Sequence, residues 1–399
     1  MRKPIMLFIV CFLMMIVLSG CWSRRELNDL AIAVGMGFDK TKDGVQVTVQ
    51  IVNPGEVASK QGATGLTTPV SSFKTTSKTI FEALRKLTNQ SPRKVYSSHL
   101  RVLVISEALA REGIMPILDG ISRNHEMRAD FYILVARNAT AESILNTLTS
   151  IEKIPANKLF STLEMSAKVW APTVEVRLDT LVTDLQTEGK DPVLPGIVLK
   201  GDPRRGDEKS SINRIAATTI LENSGLAVFK KDKLIGWLNE EDSKGYNYVT
   251  DNVVSTAGEI SCPSGGIIAL DVVRTKTKMR GDVVNDEPRI SIDIFVEENV
   301  GEVQCKIDLM EPQTIAELEQ IAEREVNNII ESVIQKVRKY KVDIFGFGDA
   351  IYRANPKYWS QHHQNWQELF LHLPVDVHTE VKIRRVGTVT DPLVQQAEE

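Results

Sequence analysis

The sequence predicts a mixed α/β protein of the α+β class, with several domains whose sheets are covered by helices. Apolar segments with the alternating or continuous pattern of strands recur along the chain, and segments with helical spacing lie between them. A long amphipathic segment near residues 314–339 is sufficient in length to cover one face of a sheet. Hydrophobic content of 42% and charged content of 25% are typical of an ordinary folded protein.

Residues 1–20 have the order of a bacterial lipoprotein signal peptide. Arg2 and Lys3 precede an apolar run over residues 5–18, and small residues then lead to Cys21. We therefore expect cleavage before Cys21 and a covalent diacylglycerol/acyl lipid on that residue, with no other cofactor. A plain transmembrane anchor is the alternative, but 14 apolar residues span roughly 21 Å, less than the ~30 Å of a hydrocarbon core.

Cys21 is predicted to hold the mature protein at the bilayer, where each buried methylene contributes about 0.8 kcal/mol. Trp22, Arg24, Arg25 and Glu26 follow it and are candidate membrane-proximal or partner contacts. A Trp side chain can lie at headgroup level, and arginines can bind phosphate or a partner protein. The alternative is that these side chains fold back and pack against the body.

The charge of the mature chain argues against a nucleic-acid partner. Loss of residues 1–20 removes two of the 48 basic side chains and none of the 52 acidic ones, so the net charge becomes −6 instead of −4. A surface of this sign is not attracted to nucleic acid or to anionic headgroups. After Cys21 no apolar run approaches membrane-spanning length, so any membrane-crossing part is expected to belong to a partner.

Three folded units are predicted after the signal peptide. Residues 21–58 together with 149–208 form an N-terminal mixed α/β domain, residues 70–148 a small α/β domain on a partly parallel sheet, and residues 212–399 a C-terminal domain of a sheet plus helices.

Periodicity predicts the elements of the first two units. Apolar strands at 30–38 and 45–52 around a polar turn indicate a β-hairpin, and fewer than about ten residues separate it from Cys21, so the body is expected close to the bilayer. Residues 53–70 are rich in Gly, Thr, Ser and Pro and predict a loop or linker. Helices are predicted at 79–87, 114–121, 159–169 and 178–185, and strands at 101–105, 131–136 and 193–199, the last returning to the hairpin.

The third unit is predicted to combine a sheet with the long helix. Thr314 and Glu317 are expected to form a T-x-x-E capping box just after Pro312, and the apolar stripe that follows indicates core packing, with a partner-helix role as the alternative. Strands are predicted at 216–221, 225–229, 234–237, 266–277, 289–296 and 375–383, and further helices near 350 and 367.

Patterns typical of catalysis or metal binding are sparse, and no catalytic residue is predicted. The chain lacks the P-loop, H-E-x-x-H, C-x-x-C and G-x-S-x-G motifs. Ser71 and Lys74 match S-x-x-K, but the S-D-N and K-T-G motifs that accompany it in penicillin-binding enzymes are missing. His362 and His363 would point about 100° apart on a helix without a suitably spaced further ligand, so no metal site is expected.

Cys262 and Cys305 are the cysteines that remain after Cys21 and the signal peptide are set aside. An extracytoplasmic location permits a disulfide between them, and isolated thiols are the alternative.

Six segments form an ordered set that extends over nearly the whole chain. They are Cys21–Ala31, Val49–Glu56, Gly225–Leu238, Asp343–Gly348, Pro356–Trp359 and Val381–Gly387. This set resembles the Ger(x)C-type spore germination lipoproteins of endospore-forming bacteria, which are the C subunits of spore germinant receptors.

The resemblance implies a multi-domain, non-enzymatic lipoprotein anchored on the outer, extracytoplasmic face of the spore inner membrane. In that family the protein works beside integral-membrane A and B receptor subunits in nutrient-triggered germination, so protein–protein contacts are expected to carry the function. The alternative is a substrate-binding lipoprotein of a membrane transporter, which would need two similar α/β lobes around a hinge. A cell-wall enzyme would depend on Ser71 and Lys74 or on the histidines.

Overall fold

Two β-sheets organise the chain in the computed structural model, which describes residues 5–6, 29–58 and 68–387. The strands of the first sheet are β1 (Leu30–Thr41), β2 (Gly44–Val52), β3 (Val70–Ser77), β4 (Lys94–Tyr96), β5 (Val102–Ser106), β6 (Tyr132–Ala136), β7 (Val193–Gly201), β8 (Thr219–Lys230) and β9 (Lys233–Leu238). Those of the second are β10 (Thr256–Ser261), β11 (Ile267–Val284), β12 (Glu287–Val303) and β13 (Val375–Arg385).

The first sheet has the order β3-β2-β1-β5-β6-β7-β8-β9, with β4 also paired to β1. The pairs β1–β4, β1–β5, β5–β6 and β6–β7 are parallel, and the others are antiparallel. The second sheet has the order β10-β11-β12-β13, with β13 parallel to β12.

Helices lie between the strands along the chain. They are α1 (Pro54–Ala58), α2 (Ile80–Lys86), α3 (Glu107–Glu112), α4 (Met115–Ser122), α5 (Ala141–Asn146), α6 (Pro155–Val169), α7 (Leu178–Gln186), α8 (Lys209–Ile212), α9 (Glu240–Val249), α10 (Pro312–Tyr340), α11 (Phe347–Ala354), α12 (Pro356–His362) and α13 (Trp366–His372). The mixed α+β class predicted from the sequence is therefore confirmed.

The central strands of the first sheet are buried on both faces, which explains their continuous apolar sequences. In β5, Val102 and Val104 face the core that α5 and α6 cover, while Leu103 and Ile105 face the core on the α2, α3, α4 and α7 side. Alternate residues of one strand thus enter two different cores.

The long helix α10 covers the second sheet, as its amphipathic sequence predicts. It has 29 residues, or about 44 Å at 1.5 Å per residue, and is followed by its C-cap Lys341, which is left-handed with φ 57°. Its buried side chains belong to the same hydrophobic core as the inner residues of β12 and one face of the first sheet. The buried residues of α10 are Leu318, Ala322, Val326, Ile330, Val333, Ile334 and Val337.

Four sequence predictions about elements are wrong, and the first is that 216–221 and 225–229 are separate strands, since the structure has one strand there, β8 (Thr219–Lys230). β7 does not return to the hairpin but pairs with β6 and β8, because the edges of β1 and β2 are already occupied by each other, by β4 and β5, and by β3. The capping box at Thr314 and Glu317 is absent, since α10 begins three residues earlier, with Glu311 at its N-cap and Pro312 as its first helical residue. Residues 53–70 are not wholly loop, because α1 lies within them.

The sequence patterns did not predict the strands β3, β4 and β10 or the helices α3, α5, α8 and α12. The division into three units remains a prediction. Strands from all three predicted units lie in the first sheet, which runs from β1 to β9.

Candidate functional site

Cys21, Trp22, Arg24, Arg25 and Glu26 lie outside the described residues. The strand β1 begins nine positions after Cys21, so the connecting chain reaches at most roughly 32 Å. The start of β1, the end of β2, and the starts of β3 and β4 lie together in the sheet, with Leu30 opposite Lys94 and Val52 opposite Val70. We call this edge of the sheet the anchor-proximal end.

A groove of about 360 Å³ opens at the anchor-proximal end, and Leu30, Ile51 and Arg93 are among its lining residues. Asn53 lies beside this groove and connects the end of β2 to the start of β3. The Asn53 side-chain amide donates to the Thr68 carbonyl over 2.8 Å and to the Ser71 hydroxyl over 3.0 Å. This end of the sheet therefore carries the hydrogen-bonded side chain of Asn53 and the basic side chain of Arg93.

A buried aspartate, Asp343, holds the start of α11. Its Oδ1 accepts from the backbone N–H groups of Gly346 over 2.9 Å and Phe347 over 3.1 Å. Its Oδ2 accepts from the N–H of Gly348 over 2.8 Å and from the indole Nε1 of Trp366 over 3.1 Å. Gly346 has φ 77°, a left-handed conformation that favours glycine, so the sequence before α11 suits this turn.

A second aspartate, Asp191, connects this turn to the first sheet. Its carboxylate accepts from the N–H of Lys231, between β8 and β9, over 2.9 Å and from the N–H of Asp343 over 3.2 Å. The Asp191 N–H in turn donates to the Asp343 carbonyl over 2.7 Å. Asp191 and Asp343, which we call the aspartate clamp, thus tie the entry to β7, the β8–β9 turn and the α10–α11 loop together.

Burial is the largest influence on the pKa values of the two carboxyl groups of the aspartate clamp. It raises the pKa of Asp343 to about 7, although the hydrogen bonds from Gly348, Phe347 and Trp366 favour the charged form, and the nearby charge of Asp191 raises the pKa further. Burial raises the pKa of Asp191 as well. Because N–H donors engage both oxygens of Asp343, the carboxylate orients the backbone and is not presented to a substrate.

Two glycines pack backbone to backbone beside the clamp. A Cβ added to Gly348 would lie 2.6 Å from the Cα of Gly189 and 2.7 Å from the Trp359 ring. The G-F-G sequence at residues 346–348 therefore meets two steric requirements, a left-handed turn and a close approach of two chain segments.

A cleft of about 670 Å³ lies next to the aspartate clamp. Three lysines and several carboxylates line it, together with the aromatic rings of Trp359 and Trp366. The lysines are Lys190, Lys231 and Lys341. The lining of this cleft thus combines charges of both signs with aromatic rings.

The residues of the S-x-x-K pattern do not form a pair. The Ser71 hydroxyl bonds to Asn53, whereas the Lys74 ammonium lies 2.7 Å from Oε1 of Glu142. The ring Nδ1 atoms of His362 and His363 contact the carbonyls of Tyr358 and Trp359, at 2.9 and 3.1 Å. Neither set has the geometry that its catalytic or metal-binding interpretation would need.

Cys262 and Cys305 are joined by a disulfide, with their Cα atoms 6.5 Å apart. The bond ties the β10–β11 connection to the segment that follows β12.

Groups of three or more His, Cys, Asp or Glu side chains that could hold a metal ion are not found in the part of the chain that the structure describes. Within residues 29–58 and 68–387, no helix has the length and apolar character needed to cross a membrane.

The sequence analysis missed Asp191 and Trp366, and it identified Asp343 only as part of a resembling segment. An Asp three residues before a glycine-rich helix start is a recognisable local signal for a backbone-capping carboxylate. Asp191 carried no such signal, because its partner lies 152 positions away in the chain.

Comparisons with known proteins cover nearly the whole chain. A family model described as "Spore germination protein N-terminal domain" matches residues 23–199, and one described as "Spore germination B3/ GerAC like, C-terminal" matches residues 224–387. The chain is 33% identical to spore germination protein KC of Bacillus subtilis (strain 168) over 405 residues, covering 99% of each chain. It is 24% identical to spore germination protein B3 of the same organism over 387 residues, covering 96% of this chain and 98% of the other.

A solved structure has a similar fold. The crystal structure of the GerBC protein matches with a TM-score of 0.57 and 19% sequence identity, covering 88% of this chain and 96% of that one.

Proposed function

The chain belongs to the spore germination B3/GerAC family, and from this premise we propose that it is the lipid-anchored C subunit of a spore germinant receptor. The observation that carries the proposal is full-length similarity: 33% identity over 99% of both chains, together with both family regions in their expected order. A shared single domain would support only a shared fold.

The proposed anchor is the lipid on Cys21, which holds the body on the outer face of the spore inner membrane. The signal-peptide order before Cys21 supports this placement. The nine-position connection to β1 supports a body whose anchor-proximal end lies near the headgroups. Arg93 in the groove there, and Arg24 and Arg25 in the connection, would meet phosphate groups or a membrane partner.

The proposed mode of action is contact with the integral-membrane A and B subunits, without catalysis. Two features support a non-enzymatic role. The carboxylate of Asp343 is engaged by four N–H donors, and Ser71 and Lys74 have separate partners. The mixed-charge cleft beside the aspartate clamp is the surface that we propose for one of these contacts.

Mild cross-linking of spore inner membranes tests the proposal. The tagged full-length chain is captured and its partners are identified by mass spectrometry, in parallel with Cys21→Ala and with Cys11→Ala as the matched control. Cys11 lies within the signal peptide, so its replacement should leave lipidation and partners unchanged. We expect two integral-membrane proteins with the wild type and with Cys11→Ala, and their loss with Cys21→Ala.

Capture of a lipidated wild-type chain without any integral-membrane partner would contradict the receptor role. That result would instead favour a free-standing binding lipoprotein.

A further inference from the structure

One carboxylate occupies a position where the strand pattern calls for an apolar side chain. Alternate residues of β12 face the core beneath α10, and the row ends in Glu298, which is only 3% exposed. The preceding members of the row are Ile290, Ile292, Ile294 and Val296. A charged residue in such a row costs stability, so its presence points to a function.

The buried carboxylate of Glu298 is not balanced by a positive charge of the described residues. Its Oε2 is buried and has no hydrogen-bond partner in the part of the chain that the structure describes. The charge close enough to perturb it is another carboxylate, Asp271, and together with burial this raises the pKa of Glu298 to about 7. Among the described residues, Glu298 therefore has no cationic partner.

Glu298 lines a cavity of about 480 Å³ between α9, α10 and the strands of the second sheet. This volume lies within the range of ordinary small-molecule sites. Its walls combine the rings of Trp170 and Tyr248 with apolar side chains of α10 and β11. Five carboxylates line it against one ammonium group: Glu240, Glu241, Glu259, Glu298 and Glu325 against Lys244.

The cavity already holds one ammonium group of the chain itself. The Nζ atom of Lys244 lies 3.3 Å from the centre of the Trp170 ring, a cation–π contact. The carboxylates that act on Lys244 are Glu240, Glu241 and Glu259, so Glu298 is left without this counter-ion. The positive end of α9 is already capped by Asn239 and Asp242.

We propose that this cavity binds a small organic ammonium ion, with the charged group against Glu298 and the apolar part against Tyr248 and α10. The aromatic and apolar walls favour an organic cation over a metal ion, for which no group of three ligands exists among the described residues. The inference goes beyond the proposed receptor role and does not depend on it.

Calorimetric titration of the detergent-solubilised full-length chain at pH 8 tests the site, with 2-phenylethylammonium as the probe and 2-phenylethanol as its neutral counterpart. We expect saturable 1:1 binding of the ammonium ion and at least tenfold weaker binding of the alcohol. Glu298→Gln should weaken ammonium binding at least tenfold. Glu302→Gln, an exposed position on the same strand, should leave it unchanged.

The comparison of ammonium with alcohol on the wild type requires no variant, so the proposal stays testable even if Glu298→Gln folds poorly. Absence of saturable binding to the wild type would overturn it. So would equal affinity for the two probes, or a folded Glu298→Gln variant that binds the ammonium ion as tightly as the wild type.

Discussion

Asp343 stabilises the protein by accepting hydrogen bonds from three backbone N–H groups and from one indole N–H. Replacement by Asn keeps the shape but turns an N–H donor toward the donors of Gly348 and Trp366 or of Gly346 and Phe347. Each buried N–H left without an acceptor costs about 1–3 kcal/mol. We therefore expect Asp343→Asn to lower the free energy of unfolding by about 2–5 kcal/mol, measured by urea denaturation followed through tryptophan fluorescence.

Asp376→Asn is the matched control, because Asp376 is exposed on β13 and should change stability by less than about 0.5 kcal/mol. Equal stability of the wild type and Asp343→Asn would contradict the role of the aspartate clamp.

Glu298 should make stability depend on pH. Its pKa is raised by burial from 4.5 to about 7, so between these values the unfolded chain gives up the proton first and stability falls as pH rises. The loss, roughly 3 kcal/mol, is complete above about pH 7 and absent below about pH 4.5. Thermal unfolding of Glu298→Gln should thus show a gain over the wild type that is largest at pH 8 and smallest at pH 4.

The control for this pH series is Glu302→Gln, which should follow the wild type at every pH. If the difference in stability between Glu298→Gln and the wild type stays constant from pH 4 to pH 8, the pKa of Glu298 is not raised, and this prediction is contradicted.

At the residue scale, the sequence predicts side chains with local signals and misses those defined by distant contacts. The G-F-G segment before α11 and Asn239 with the acidic residues after it carry such local signals, because a helix start and a helix cap each act within a few positions. Asp191 and Glu298 depend on neighbours far away in sequence, which a local pattern does not reveal.

At the element scale, the disulfide between Cys262 and Cys305 closes a loop with a sequence separation of 43. The chain-entropy model assigns such a loop a stabilisation of about 4 kcal/mol. We expect the double variant Cys262→Ser/Cys305→Ser to unfold at correspondingly lower urea concentration. Alkylation should add mass at these two positions only after reduction, whereas labelling of both without reductant would contradict the disulfide.

Local apolar patterns explain which elements could be predicted from the sequence, and strand pairing explains those that could not. β5 and β6 were predicted because they are apolar throughout, and α10 because its stripe is continuous. The edge strand β3 was missed because Ser, Thr and Lys dominate its sequence, and its strand conformation depends on the hydrogen bonds from β2. The position of β7 follows from which strand edges are free, and a single segment carries no information about that.

At the scale of the whole molecule, the two sheets share one hydrophobic core. Within the described residues their strand orders differ, with nine strands of mixed direction in one and four in the other, so they are not the two similar lobes that a hinged binding protein of a transporter would need.

The central claim, that the chain is an anchored subunit of a germinant receptor, is tested most directly by germination of spores that lack it. Deletion spores should lose their response to at least one single-nutrient germinant. A wild-type or Cys11→Ala copy should restore that response, and a Cys21→Ala copy should not. Deletion spores that respond to every nutrient at the wild-type rate would contradict the account.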